Sequence, residues 1–227
     1  AVWGAQQGEF KQRGKKDGVF GIWYGKGPGM DRTMDVFKHA NAAGSSKYGG
    51  VLAIAGDDHA AKSSTLPHQS DHNFMSAFMP YLYPSGVDEI VKFGLLGIAM
   101  SRYSGCWTGF KIVSDVADSG KRYDTELEKF QIVIPDESYL GEYKDLPRNI
   151  LYSDTPRDQD YRLQRAKGFA AQEFVRANNI DVSMWKSGNS KMGIITAGKS
   201  YNDVREALRW LNIDESKAKE LGICIYK

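Results

Sequence analysis

Two stretches decide the fold: GVFGIWYGKGPGMDR at residues 18–32 and GGVLAIAGDDHAAKSST at residues 49–65. Each opens with apolar, β-branched and aromatic residues next to glycine, which is typical of a buried strand. The strands are expected over 18–25 and 50–55. Each runs directly into a loop that is rich in glycine or in polar residues.

A helix is expected between these two strands. Asp31 follows a Gly-Pro-Gly turn and is predicted to be the N-cap of the helix, and Gly44 is predicted to end it. Four apolar residues in this segment recur at the spacing of one helix face: Met30, Met34, Phe37 and Ala40.

The rest of the chain repeats the alternation of strand and helix. Further strands are predicted over 110–113, 130–134, 192–196 and 223–226, and further helices over 69–79, 157–178, 202–211 and from Asp214. Another helix follows Pro84, with Ser85 as its N-cap and Asp88 at the capping-box position. Its apolar residues are expected on the inner face: Val87, Ile90, Val91, Leu95 and Ile98.

This alternation predicts an α/β fold with a mainly parallel sheet and helices on both faces. We expect a partial first domain over 1–115, a linker and surface segment over 116–156, and a truncated second α/β unit over 157–227. The chain starts without Met and ends in an apolar strand-like run with nothing after it to pack on, so we expect a fragment of a longer protein. The alternative is a processed chain, or a last strand that closes a sheet.

The composition excludes several classes of protein. The chain has 227 residues, of which 41% are hydrophobic and 26% charged, and its net charge is only +2. No basic block supports a nucleic-acid partner, and no apolar run approaches the roughly 20 residues that span a bilayer. Cys106 and Cys224 occur in no metal-binding spacing and are predicted to be buried thiols, so a cytoplasmic protein is expected.

Chemistry is expected in the loops at the carboxyl ends of the strands. The first loop contains Lys26, Gly27 and Gly29, and its free N–H groups and lysine would suit an anion. A tight turn from strand to helix needs glycine in any case, so a purely structural role stays open. A third loop, over 196–200, is explained by the same need.

The second loop is the richest in polar groups, as expected of a ligand site. Its candidate binding residues are Asp57, Asp58, His59, Ser63, Ser64, His68 and Gln69. Several of them, together with His72, are of types that bind metals. Helix capping and loop solvation explain many of these residues, and the glutamate of a zinc-protease motif is missing, so no metal site is predicted.

The strings GVFGIWYGKGPGMDR and GGVLAIAGDDHAAKSST resemble the pyrimidine-binding domain of thiamine-diphosphate-dependent 2-oxoacid:ferredoxin oxidoreductases. The likeness is to the indolepyruvate type in its long fused bacterial form. The later string KMGIITAGKSYNDVREAL, at residues 191–208, is similar to the start of the next domain of those enzymes. The resemblance covers almost the whole chain.

The resemblance implies an oxidative decarboxylation of a 2-oxoacid to an acyl-coenzyme A, with electrons passed through iron–sulfur clusters to ferredoxin. Lys26, Gly27 and Gly29 match the turn expected to face the reacting end of the cofactor. The second-loop residues named above match positions expected to line the cofactor, the substrate or a neighbouring chain. The implied partners are the remaining domains of the enzyme, ferredoxin, coenzyme A and a second copy of the chain.

The sequence also departs from the family pattern. The glutamate that activates the cofactor is expected upstream of Ala1, and the Mg²⁺- and diphosphate-binding signature and the cluster cysteines do not occur. We therefore expect that thiamine diphosphate, Mg²⁺ and iron–sulfur clusters belong to the full enzyme and that the fragment alone binds none of them and is inactive. The alternative is a non-catalytic α/β ligand-binding or assembly module that kept the fold.

Overall fold

The structure, a computed structural model, describes residues 1–8, 15–124 and 127–227. Its first part contains the following helices and strands: α1 (Val2–Gln6), β1 (Gly21–Lys26), α2 (Gly27–Ala43), β2 (Val51–Asp57), α3 (Asp71–Ser76), β3 (Tyr81–Leu82), α4 (Val87–Ser104), β4 (Thr108–Val113) and α5 (Ser114–Ala117). The later part contains α6 (Pro156–Arg162), α7 (Gly168–Ala177), β5 (Ser183–Met184), β6 (Met192–Ile195), α8 (Lys199–Trp210), α9 (Glu215–Leu221) and β7 (Ile223–Tyr226).

The first four strands form one parallel sheet in the order β1-β2-β4-β3. β2 lies between two neighbours and is apolar on both faces, as strands of parallel sheets usually are. β1 lies at the edge, and its residues alternate between half-buried and exposed. Helices cover both faces of the sheet, so the predicted α/β fold is confirmed.

The two faces of the sheet carry separate cores. On one face, Phe37 of α2 packs with Trp107 and Phe74. On the other face, Met100 of α4 packs with Phe110 of β4. Strand alternation explains the division, because successive side chains of β2 and β4 point to opposite faces.

Helix α2 begins five residues earlier than its sequence predicts. Lys26 is the N-cap and Gly27 is the first helical residue, so the Gly-Pro-Gly segment is the first helical turn and not a loop. Pro is well suited to this turn because the first N–H groups of a helix have no intrahelical partner. Asp31 is therefore inside the helix, and its prediction as N-cap is wrong. Gly44 ends the helix as predicted, with a φ of 105°.

The prediction for α4 is right in position and partly wrong in detail. The N-cap is Gly86, whereas Ser85 donates through its backbone N–H and its hydroxyl to Glu89. Val91 and Leu95 were expected on the inner face but are exposed. The buried face is instead formed by neighbouring positions of the helix: Leu96, Gly97, Met100, Ser101 and Ser104.

The strand predicted over 130–134 is absent, and this prediction is wrong. Residues 130–136 have no strand partner, although Phe130 and Ile132 pack against the core of the α4 face. Apolar residues at alternate positions thus reflect contact with the core without sheet pairing. Residues 135–156 belong to the predicted linker and surface segment. The structure has one short 3-10 helix there, Ser138–Tyr143.

The long helix predicted over 157–178 is present and begins at Pro156. Thr155 and Asp158 form a capping box, in which each side chain accepts from the backbone N–H of the other. A π-helical segment, Leu163–Lys167, joins α6 to α7. Phe174 of α7 is buried in the core of the α4 face. The predicted division at residue 157 assigns this helix to the second unit, whereas the helix packs against the first sheet.

One buried lysine fastens this long helix to the end of α2. The ammonium group of Lys167 donates to the carbonyls of Asn41 and Ala42 at 2.8 and 2.9 Å. These carbonyls belong to the last turn of α2 and have no partner within that helix. The Asn41 side chain extends the contact by donating to the carbonyls of Ala77 and Phe78.

A second, smaller sheet follows, in the order β5-β7-β6. β7 is its central strand, parallel to β6 and antiparallel to β5, so the apolar run at the end of the chain is paired on both sides. Helix α8 packs on this sheet through Tyr201 and Leu208. Among the described residues, no helix is both long and apolar enough to cross a membrane.

Candidate functional site

Three parallel strands end side by side at one edge of the first sheet. In the register of the sheet, Lys26 of β1 lies beside Gly56 of β2, and Gly56 lies beside Ile112 of β4. The prediction that the Lys26 loop and the Asp57 loop share one sheet edge is therefore confirmed. This is the edge at which parallel α/β sheets bind ligands.

A cleft of about 570 Å³ opens at this edge. Such a volume is within the usual range for ligand pockets, roughly 300–1,000 Å³. The side chain of Tyr24 stands at the cleft and is 82% exposed. The lining is completed by residues from the ends of the strands, the second loop and α5: Gly25, Lys26, Ile54, Gly56, Asp57, Asp58, Lys62, Ser63, Ile112, Ser114, Ala117 and Asp118.

Ser63 makes two contacts, one that joins the two predicted loops and one within the second loop. The ammonium group of Lys26 donates to the carbonyl of Ser63. The backbone N–H of Ser63 donates to Oδ2 of Asp58 at 2.6 Å. That hydrogen bond lowers the pKa of Asp58 against the opposing effect of desolvation. The other carboxylate oxygen, Oδ1, is buried and has no hydrogen-bond partner among the described residues.

Gly27 is needed because His68 lies against it. A Cβ atom at residue 27 would be only 2.0 Å from Cγ of His68. The imidazole Nε2 lies 3.2 Å from Asp31, and Nδ1 lies 3.3 Å from the carbonyl of Leu66. His68 thus fixes the second loop to the start of α2. Gly29 has no such neighbour, since a Cβ atom there would meet nothing within 4 Å.

The carboxylate of Asp57 is held away from the cleft, in a buried polar network. It accepts from the backbone N–H of Ser70 at 2.8 Å and from the Ser70 hydroxyl at 2.5 Å. The ammonium group of Lys111 lies 3.4 Å from Asp57 and 2.5 Å from Asp71. Burial opposes the charge on both partners, but their mutual attraction raises the pKa of Lys111 and lowers that of Asp71.

Two tyrosines adjoin this ion pair. Burial, followed by the charge of Asp71, raises the pKa of Tyr81 to about 12. Burial also raises the pKa of Tyr83, whose ring lies 4.7 Å from the ammonium group of Lys111. Both phenols are therefore neutral hydrogen-bonding groups near pH 7.

The third loop predicted from the sequence packs beside these tyrosines. Gly198 begins α8, and a Cβ atom there would be 2.2 Å from the ring of Tyr83. Lys199 pairs with Asp203 at 3.0 Å and lies 3.7 Å from Asp115. The turn over 196–200 thus packs against the first sheet, close to the edge that holds the cleft.

The remaining predicted residues lie farther from the lining of the cleft. His59 and Gln69 are exposed, and Ser64 is half-buried. Within residues 1–8, 15–124 and 127–227, no group of three or more His, Cys, Asp and Glu side chains is arranged to hold a metal ion.

Lys111 and Tyr24 are important site residues that the sequence reasoning did not select. Lys111 stands inside the apolar strand run TGFKIV, and a charge within a buried strand implies a buried partner. The sequence therefore contains a signal for Lys111. Tyr24 stands at the start of the predicted first loop, but its exposure beside the cleft depends on the position of β1 at the edge of the sheet, which only the strand order gives.

The chain is similar in sequence to known proteins. Residues 182–227 match the family model described as indolepyruvate oxidoreductase domain. Two curated relatives, each named indolepyruvate oxidoreductase subunit IorA, come from Pyrococcus horikoshii and Pyrococcus abyssi. Each is 29% identical over 201 residues, which cover 86% of this chain and 29% of the relative. The chain therefore spans under a third of the length of these relatives. It is similar to subunits of indolepyruvate oxidoreductase.

Proposed function

We propose that this chain forms the pyrimidine-side part of the active site of a thiamine-diphosphate-dependent 2-oxoacid oxidoreductase that acts on indolepyruvate or a related arylpyruvate. The observation that supports this proposal most directly is the cleft at the carboxyl edge of the sheet, which Lys26, Asp58 and Tyr24 all line. The similarity to indolepyruvate oxidoreductase subunits supports the substrate class. The fused bacterial arrangement of the enzyme is part of the same proposal.

The residues of the cleft fit an aminopyrimidine. Oδ1 of Asp58 is an acceptor without a hydrogen-bond partner among the described residues, and an unsatisfied acceptor of this kind favours binding of a donor group. An exocyclic amino group is a matching donor. Tyr24 and Ile54 supply flat and apolar surface on the same side of the sheet.

In this proposal the residues of the chain bind and orient, and thiamine diphosphate, when bound, would supply the electron-accepting group that decarboxylation needs. Asp58 fixes the orientation of the pyrimidine ring through its free oxygen. Lys26, held by the carbonyl of Ser63, places a positive charge near the cleft, where it attracts the carboxylate of the substrate. The direct passage from β1 into α2 at Gly27 keeps that lysine in position.

The remaining chemistry is assigned to other parts of the enzyme. The chain has two cysteines, Cys106 and Cys224, and neither lies in a cluster of metal-binding residues in the part of the chain that the structure describes. We therefore assign the iron–sulfur clusters, the Mg²⁺ and diphosphate site and the contacts to ferredoxin and coenzyme A to the domains and subunits that complete the enzyme. On this proposal the 227-residue chain alone does not turn over arylpyruvates.

The test is the binding of thiamine, which carries the pyrimidine ring without the diphosphate. Ligand-observed NMR, which detects weak complexes, should show weak thiamine binding to the full 227-residue chain, although a chain without the diphosphate site is not expected to retain the cofactor. Asp58→Asn should weaken it at least tenfold, because an amide N–H₂ replaces the free acceptor while the other oxygen still receives the N–H of Ser63. Because the pKa of Asp58 is already lowered, wild-type binding should not change between pH 6 and pH 8.

Asp35→Asn is the matched control, since Asp35 lies on the exposed surface of α2, where it pairs only loosely with His39. It should leave thiamine binding unchanged. An equal loss in both variants, or full binding in Asp58→Asn, would contradict the role of Asp58. A folded chain that binds no thiamine would favour the alternative of a non-catalytic module.

A further inference from the structure

A second cavity lies at the opposite edge of the first sheet. Its volume is about 1060 Å³, larger than that of the cleft. It is bounded by Ser45 and Lys47 after α2, by the last turns of α4, and by the irregular segment 132–152. The residues that follow α2 and α4 lead into the amino ends of β2 and β4. The cavity is therefore separate from the cleft, which lies at the carboxyl ends of these strands.

The walls of this cavity are largely apolar. Ala99 and the ring of Tyr103 line the side formed by α4. The irregular segment contributes Ile132, Ile134, Pro135, Pro147, Ile150 and Leu151. A mainly apolar lining with a few polar groups is the usual composition of a small-molecule site.

The charged groups of the cavity are unbalanced. Lys47, Arg102 and Arg148 line it, and Glu137 is the only carboxylate among the lining residues. Nη2 of Arg148 donates to Glu137 at 3.0 Å, which neutralises one cation. Nη1 of Arg148 is buried and has no hydrogen-bond partner among the described residues. A buried donor on a cation without an acceptor costs free energy, and a bound anion would remove that cost.

The fold explains the position of Arg102 but leaves one nitrogen of Arg148 without a partner among the described residues. Arg102 stands in the last turn of α4, where a cation is favourable, and its Nε donates to the carbonyl of Gly49 at 2.7 Å. Its position therefore has a structural reason. Arg148 is not in a helix, and its ion pair with Glu137 leaves Nη1 free.

The backbone at Arg148 is held rigidly. Gly44 and Gly105, the C-caps of α2 and α4, both adopt positive φ and both lie against the carbonyl of Arg148. A Cβ atom at either position would approach that carbonyl oxygen to within 2.5 Å. Asn149 next to it forms a β-bridge with Gly44. The guanidinium is thus attached to a fixed point of the fold, as a binding group should be.

We propose that this cavity binds an organic monocarboxylate with an apolar body, whose carboxylate pairs with Nη1 of Arg148 and with Lys47. The apolar body fills the space between α4 and residues 132–151. The inference does not depend on the proposed function, because the cavity and the cleft are at opposite edges of the sheet.

The probes separate charge from apolar contact. 2-Naphthoate has both a carboxylate and an apolar body, 2-naphthamide has the body alone, and acetate has the charge alone. In isothermal titrations with the full 227-residue chain, 2-naphthoate should bind at least tenfold more tightly than either of the others. Equal affinities for 2-naphthoate and 2-naphthamide would overturn the proposal, as would the absence of 2-naphthoate binding.

Three variants assign the site. Arg148→Met should weaken 2-naphthoate at least tenfold and leave 2-naphthamide unchanged, and Ala99→Trp should abolish both by filling the cavity. Arg148→Met also leaves Glu137 without its ion-pair partner and could disturb folding. Lys47→Met changes an exposed residue and avoids this problem. It should weaken the affinity for 2-naphthoate threefold or more. Lys38→Met, on the exposed face of α2, is the matched control and should have no effect. Wild-type affinity in Lys47→Met, or undiminished binding in Ala99→Trp, would overturn the assignment.

Discussion

At the scale of single residues, Lys167 makes the stability of the fold depend on pH. Burial lowers its pKa from 10.5 to about 8. Between these values the unfolded chain binds more protons than the folded one, so the free energy of unfolding rises with pH. Above pH 9 the buried thiol of Cys106, whose pKa is raised by burial, acts in the opposite direction.

The pH window to measure is therefore about 8 to 9. Urea denaturation should show the free energy of unfolding of the wild type rising by up to about 1 kcal/mol over that pH unit. Lys167→Met should lower stability overall and remove the rise. Lys38→Met, which changes an exposed lysine, should keep it. An unchanged slope in Lys167→Met would contradict the assignment of this pH dependence to Lys167.

A double-mutant cycle tests the contact between Gly27 and His68. Gly27→Ala should destabilise the chain by about 1–3 kcal/mol, because the new methyl group would overlap the imidazole. In a His68→Gly background, which also removes the Cβ atom that would lie 2.3 Å from the new methyl group, the same change should be neutral or stabilising, since alanine is a better helix former than glycine. The free energies come from urea denaturation. Additive effects of the two changes would show that the two residues are independent.

Sequence reasoning found the loops of the site and missed part of its chemistry. Asp58 and Lys26 were selected because polar residues directly after buried strands tend to meet at one edge. The pairing of Lys111 with Asp71 was missed, since it joins a strand to a helix forty residues earlier. Only the three-dimensional structure brings such distant residues together.

At the scale of helices and strands, the positions of the main elements were predictable and several ends were not. The strand cores of β1, β2 and β4 are apolar runs that leave little choice of structure. The start of α2 was misplaced because a Gly-Pro-Gly segment is typical of a turn, while proline also suits the first turn of a helix. The failure at 130–134 has another cause, since alternating apolar residues there contact a core without a neighbouring strand.

The capping box at the start of α6 provides a prediction at this scale. Thr155→Ala removes the hydroxyl that accepts from the backbone N–H of Asp158. The change should lower the free energy of unfolding by about 1 kcal/mol, the usual cost of losing such a cap. Thr65→Ala, in an exposed loop, is the control and should be close to neutral. Equal denaturation midpoints for the two variants would contradict the importance of the cap.

At the scale of the whole molecule, an apolar surface is left uncovered next to β1. Ile22 and Tyr24 are exposed on the face of the sheet that carries α4, and Val91 and Leu95 of α4 are exposed as well. Exposed apolar surface of this kind is typical of an interface. We expect the chain to associate with a second copy of itself through this surface.

Sedimentation velocity tests that expectation. The chain should sediment as a dimer or larger species at micromolar concentration, and Ile22→Lys combined with Leu95→Lys should shift it towards the monomer. Lysine at Val133 and Met192, two exposed apolar positions on other segments, serves as the matched control. A wild-type chain that remains monomeric over the whole concentration range would contradict the expectation.

The contact between Lys167 and the end of α2 also has a consequence for how the protein is made. The carbonyls of Asn41 and Ala42 can accept their hydrogen bonds from Lys167 only after that residue has been synthesised, about 125 positions later in the chain. At roughly 5–20 residues per second, that delay is on the order of ten seconds. From the synthesis of Val113 at the end of β4 onwards, all strands of the parallel sheet have been translated, but α2 still lacks its contact with Lys167. A nascent chain arrested before residue 167 should therefore expose the end of α2 to proteases, and one arrested well beyond it should not.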